Sequence, residues 1–161
     1  MTAEVIPLLP RRRVEAEILS RVFHALRTRV GDEAALEVVR TAVESAAEEA
    51  GREFARQAPD GPTLAHFATV VERWREGNAL DVEGPRLSGD TLELTVTRCG
   101  YVELYRSAGL PGELAYVLSC ARDAAFARGY SGSLRMERSP TIAEGSPVCR
   151  FRFVWEAPRR G

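Results

Sequence analysis

The sequence predicts an α+β fold, with N-terminal helices packed on an antiparallel β-sheet in a single domain. Three observations carry this. Apolar residues in the first half recur at helical spacing, those after position 91 alternate with polar residues, and the two kinds of stretch are largely segregated along the chain. The 161 residues suffice for one sizeable core. The expected division is an N-terminal arm over 1–10, one domain over 11–157, and a tail over 158–161. Within the domain, 11–76 form the helical half and 79–157 the sheet and site half.

The first helix is expected to turn Val14, Ile18, Val22, Leu26 and Val30 to one face and to end at Gly31. Asp32 is the expected N-cap of the second, which carries Leu36, Val39, Val43, Ala46, Ala47, Ala50 and Phe54. Its alanines imply close approach to a neighbouring helix. Pro59-Asp60-Gly61-Pro62 breaks the chain, and Thr63 caps a third helix with Leu64, Phe67, Val70, Val71 and Trp74 inward. Leu92, Leu94 and Val96 then alternate with Glu93, Thr95 and Thr97, as in a half-buried strand. Residues 79–83 are its expected hairpin partner, joined through Gly84-Pro85 and Gly89-Asp90. A short helix over 101–107 closes at Gly109, and a longer one over 113–128 stops at Gly129. Two more strands follow, over 133–138 and 148–155. In the last, Cys149, Phe151, Phe153 and Trp155 share a face opposite Arg150 and Arg152.

A net charge of -1 provides no basic field for nucleic acid, and no apolar run has the length of a membrane span. Arg11-Arg12-Arg13 reads as a solvated helix start. Residues 1–10 lack a basic leader and a small-residue cleavage site, so a cytoplasmic location is expected. The three cysteines, Cys99, Cys120 and Cys149, are odd in number and form no CxxC, which argues against a disulfide framework. His24 and His66 lack a second ligand at helical spacing and read as packing or surface residues. The expected partner is a small-molecule substrate, with no nucleic acid and no membrane; a homodimer stays open.

Each cysteine has a carboxylate nearby in sequence. Cys99 precedes Glu103 by four positions, Cys120 precedes Asp123 by three, and Glu144 lies five before Cys149. On a continuous helix Tyr116, Cys120 and Asp123 share one face. The ordered series C-x-Y-x-E-x-Y (99–105), L-S-C-x-R-D (118–123), T-I-x-E-G (141–145) and C-x-F-R (149–152) resembles the L-2-amino-thiazoline-4-carboxylic acid hydrolase family. The family is in turn distantly similar to the 4-vinyl-reductase small-molecule-binding domain, an α+β fold. The resemblance implies hydrolytic opening of a cyclic isothiourea to N-carbamoyl-cysteine. The chain departs from the family pattern at Arg150 and over 138–141, both expected to border the pocket.

The resulting expectation is a hydrolase acting on a small cyclic C–N or C–S compound, with Cys120, Asp123, Cys99, Glu103 and Glu144 as catalytic candidates. Tyr101, Tyr116, Arg98, Arg138, Thr141 and Cys149 are the substrate-binding candidates. Such chemistry needs a nucleophile, a proton carrier and stabilisation of a tetrahedral intermediate. A carboxylate alone raises a thiol pKa, so a Cys120 nucleophile requires Arg98 or Arg138 to reach the site. No cofactor is expected in this reading; the alternative is zinc on Cys99, Cys120 and Cys149, although no two of these ligands are closely spaced. The alternative function is a non-catalytic small-molecule-binding domain of the 4-vinyl-reductase type. Structural readings of the same residues remain. Asp123 could form an ion pair with Arg98 or Arg138, Glu144-Gly145 a turn, and Tyr101 and Tyr105 core edges.

Overall fold

The computed structural model describes residues 6–156. The tail over 158–161, residue 157 and positions 1–5 of the expected arm lie outside the described residues. Positions 8–10 are not arm but the first turn of α1 (Leu8–Val30). This helix joins α2 (Asp32–Arg56) at Gly31, whose φ of 87° suits a residue without a Cβ. Gly31 itself is the N-cap, and Asp32 is the first helical residue instead of the cap.

The buried stripe of α1 differs from the expected one. Val14, Ile18, Val22 and Val30 are exposed, while Ala16 and Phe23 are buried with Leu19 and Leu26 packed beside them. The helix has two apolar stripes. The one bearing Leu19, Phe23 and Leu26 has the larger side chains, so turning it inward removes more apolar surface from water. On α2, Ala35, Val39, Val43, Ala47, Gly51 and Phe54 are buried. Close approach of two helices occurs, carried by glycine as much as by alanine. A Cβ on Gly129 would lie 2.0 Å from the Glu48 carbonyl oxygen, and one on Gly51 2.2 Å from that of Phe126.

The third helix is divided into α3 (Leu64–Ala68) and α4 (Val70–Arg75). Thr63 caps α3 by accepting the His66 N–H at 3.1 Å. Strand β1 (Leu80–Ser88) is longer than expected: it runs through Gly84-Pro85 as a register shift, and Gly89-Asp90 alone makes the turn to β2 (Thr91–Cys99). Helix α5 (Gly100–Ser107) follows directly. The continuous helix expected over 113–128 is broken into α6 (Gly112–Leu118) and α7 (Ala121–Tyr130), and Gly129 lies inside α7 instead of stopping it. Two side chains stabilise the break, one of them from a later strand. Arg122 Nε donates to the Leu118 carbonyl at 2.7 Å, and Arg138 Nη1 donates to the Cys120 carbonyl at 2.9 Å. Two guanidiniums thus satisfy carbonyls at the break.

With β3 (Leu134–Arg138) and β4 (Cys149–Trp155), the sheet has the order β1-β2-β4-β3 with every pair antiparallel. Its inner face presents Leu92, Leu94, Val96, Cys149, Phe151 and Phe153 to α2, α3, α4 and α7, while Arg150 and Arg152 point outward. A second cluster joins α1 and α2 to α5 and α6 through Val39, Tyr105, Leu114 and Val117. The region between these two clusters contains a hollow.

Candidate functional site

The hollow is a cavity of about 520 Å³, bounded by α1, α2, α4, α5, α7 and the inner face of the sheet. Its size is that of a small-molecule site. Part of the lining is apolar, formed by Ala46, Ala50 and Phe54 of α2 together with Trp74 of α4 and Phe126 of α7. Cys99, Cys120 and Cys149, although distant in sequence, all line it, as do Tyr101, Asp123, Arg138 and Thr141.

The break between α6 and α7 shapes the polar end. Cys120 is the residue preceding α7, and Asp123 sits in the first turn of that helix. Arg138, at the end of β3 and almost enclosed, binds the Asp123 carboxylate through Nη1 and donates from Nη2 to the Tyr116 hydroxyl at 3.0 Å. Its guanidinium also lies over the Tyr116 and Phe151 rings. Asp123 is surrounded by protein, yet 26% of its side chain is reachable through the hollow. Burial pushes its carboxyl up to about 6, against the opposing pull of Arg138. The two partners respond differently: at the carboxylate burial wins, whereas at Arg138 the cost of burial is outweighed, chiefly by Asp123, and its pKa is raised.

All three thiols are free and shifted away from ionisation. Burial raises Cys99 to about 11 and, with the added charge of Asp123, Cys120 to about 12; Cys149 is raised by burial too. At neutral pH the hollow is therefore lined by protonated thiols. Cys120 donates weakly to Thr141 Oγ1 at 3.8 Å, and Cys149 Sγ accepts the Ile142 N–H at 3.1 Å.

Other candidates lie elsewhere. Glu103 is exposed and paired with Arg98, so neither borders the hollow. Arg138, not Arg98, is the partner of Asp123. Glu144 faces solvent and accepts from Thr141 N and Oγ1 at 2.8 and 2.9 Å, closing the turn at Gly145. Tyr116 reaches the site only through Arg138. Tyr101 borders the hollow but donates its hydroxyl to the Trp74 carbonyl, and Tyr105 is buried. His66 stacks on Phe54 and meets the Tyr130 hydroxyl, a packing role. The zinc alternative finds no ligand set: among the described residues, no three His, Cys, Asp or Glu side chains come together closely enough to hold a metal ion. Arg150 faces away from the hollow, unlike Arg138 and Thr141.

Arg12, Glu15 and Arg122 line the cavity without having been expected there. Glu15 accepts from Arg12 at 2.5 Å and from Arg122 at 3.0 Å, tying α1 to α7. The only signal in sequence was that Arg12, Glu15 and Leu19 follow one another at helical spacing on the stripe that α1 buries.

The family described as L-2-amino-thiazoline-4-carboxylic acid hydrolase matches residues 11–153. The chain belongs to this family. No curated protein matches it in sequence. Its fold is similar to that of the phenol-responsive sensory domain of the transcription activator PoxR, whose crystal structure contains phenol. The TM-score is 0.52 at 11% identity, covering 89% of this chain and 73% of that one. At that identity the likeness concerns the fold alone. Among the described residues, no helix is long and apolar enough to cross a membrane.

Proposed function

We propose that this chain is a hydrolase of small cyclic C–N or C–S compounds, such as a cyclic isothiourea, amidine or amide, working at the Asp123 end of the cavity. The observation that carries the reading is a carboxyl raised to about 6, reachable from the hollow and held by Arg138. Such a group is ionised at neutral pH yet accepts a proton readily, the balance a general base needs. With a cyclic isothiourea, Asp123 takes a proton from water as the water oxygen bonds to the amidine carbon and the C=N π pair moves onto nitrogen. That pair re-forms the C=N bond as the C–S bond breaks, Asp123 passes its proton to the departing sulfur, and the resulting isourea tautomerises to the urea. Arg138 keeps the carboxylate in place. Water is favoured as nucleophile over Cys120, whose thiol holds its proton to about 12.

The alternative is a non-catalytic small-molecule-binding domain. It is supported by the protonated thiols, the apolar part of the lining, and the likeness of fold to a sensory domain solved with phenol. In either reading we place the chain in the cytoplasm and retain a homodimer as a proposal, with the exposed Val14, Ile18 and Val22 as its contact.

The test is thiol release from L-2-amino-thiazoline-4-carboxylate and related cyclic isothioureas, followed with a thiol reagent and by mass spectrometry. Turnover that falls at least about 100-fold in Asp123→Asn, with the melting transition retained, supports hydrolysis. Retention of intact ligand without thiol release selects the binding domain.

A further inference from the structure

Two guanidiniums in the cavity wall share one carboxylate. Arg12 and Arg122 are 17% and 13% exposed, and both bind the same Glu15 oxygen. Arg11 also reaches Glu15, from the solvent side. The cluster therefore carries excess positive charge. Its donors are not exhausted either. Arg12 Nε and Nη2 and Arg122 Nη1 have no hydrogen-bond partner among the described residues, and none of these atoms is buried without a partner. They are open to the hollow or to the solvent at its mouth.

A cross-tie between α1 and α7 would need only one arginine and one glutamate. A second arginine adds like-charge repulsion in a partly dehydrated place. Arg122 registers this: burial first, then the neighbouring Arg12 charge, lowers its pKa to about 10. An incoming anion offsets the excess positive charge. The same residue acts electrostatically on Asp123, which follows it in α7, so an anion here lies within reach of the proposed reacting end.

The rest of the cavity has the opposite character. Phe54, Trp74 and Phe126 line it together with the small side chains Ala46 and Ala50, and about 520 Å³ is several times the bulk of one five-membered ring. Resting on the reading that this hollow is the substrate site, we infer that Arg12 and Arg122 receive the carboxylate of an acid whose larger apolar body lies against Phe54, Trp74 and Phe126. Charge-assisted contacts with guanidinium fix the acid end, and apolar burial holds the remainder.

The probes are 3-phenylpropionate and its uncharged amide, titrated calorimetrically at low salt. The acid is expected to bind at least about tenfold more tightly than the amide, as charge-assisted hydrogen bonds exceed neutral ones. Arg122→Gln and Arg12→Gln should each reduce that preference, read as the ratio of acid to amide affinity, in which any loosening of the site that weakens both ligands alike cancels. Glu15→Gln removes the competing carboxylate and should strengthen acid binding severalfold, with no change for the amide. A cluster that merely ties helices would give the reverse, because loss of Glu15 would loosen the site. Equal binding of acid and amide, no binding of either, or no gain in Glu15→Gln overturns the inference. Acid preference without turnover of any cyclic isothiourea sinks the hydrolase reading and leaves this one standing. Turnover of uncharged and acidic isothioureas with equal efficiency does the opposite.

Discussion

Protonation of Asp123 should be visible in folding stability before any substrate is known. The carboxyl lies near 3.8 when unfolded and is raised by burial to about 6 in the fold. A raised carboxyl binds its proton more tightly in the folded state, so ionisation weakens the fold. The contribution is absent below 3.8, grows as pH rises through the interval, and is complete above about 6. Each tenfold change in proton affinity corresponds to about 1.4 kcal/mol, so the full effect is about 3 kcal/mol. Asp123→Asn retains the shape and has no such interval. The assay is urea unfolding of both proteins across this range. Wild type should gain up to about 3 kcal/mol relative to the variant as pH falls from about 7 to below 4. Glu15 and Glu144, whose carboxyls are held below their usual range, slope the other way and cancel because both proteins contain them. Turnover should rise with pH through about 6 in wild type. Parallel stability profiles, or a wild type that gains on the variant as pH rises, would show that Arg138 overcomes burial. Asp123 would then be an ordinary ion-pair carboxylate and the general-base reading would fail.

Three further outcomes are expected. Gly129→Ala places a Cβ against the backbone of α2, where the carbonyl oxygen of Glu48 is 2.0 Å away, and should cost about 3 kcal/mol or more by thermal melting; a variant as stable as wild type would show that α2 and α7 are farther apart. Cys120→Ser should cost about 1 kcal/mol and reduce turnover less than tenfold, since water is the proposed nucleophile; a loss of several orders of magnitude with the fold intact would make the thiol the attacking group. Ile18→Glu, on the exposed stripe of α1, should change monomer stability by less than about 0.5 kcal/mol and dissociate any dimer built on that face in sedimentation.

What could be read from the sequence follows from how local each determinant is. Strand β4 was legible because its period of two places Cys149, Phe151 and Phe153 on one face whatever surrounds it. The Thr63 cap was legible because its bond spans three residues. The buried stripe of α1 was not, because two apolar stripes compete and the choice rests on packing against α2 and α5. Nor was the interruption at Ser119 and Cys120 visible, since residues 113–128 have an unbroken helical pattern. It is stabilised partly by Arg138, which comes from a strand far along the chain.

That interruption also decides which candidates meet. In an unbroken helix, Tyr116, Cys120 and Asp123 would form a stripe fixed by spacing alone. Here α6 ends before Cys120, and one guanidinium gathers what the break separates: the Cys120 carbonyl, the Asp123 carboxylate and the Tyr116 hydroxyl all bind Arg138. The pairing of Cys120 with Asp123 was thus expected for a reason the structure replaces. The two belong to one site because a strand residue holds both, and that same residue keeps Asp123 charged and in place at the wall of the hollow. Arg122 performs the parallel task on the other side of the break, holding the Leu118 carbonyl and Glu15 together. Arg98 and Glu103, by contrast, had attractive spacing to Cys99 but pair with each other in solvent, where nothing desolvates them. Burial separates the two sets: Asp123, placed against the hollow, loses hydration and its carboxyl is raised to about 6, while the Arg98–Glu103 pair stays at the exposed surface.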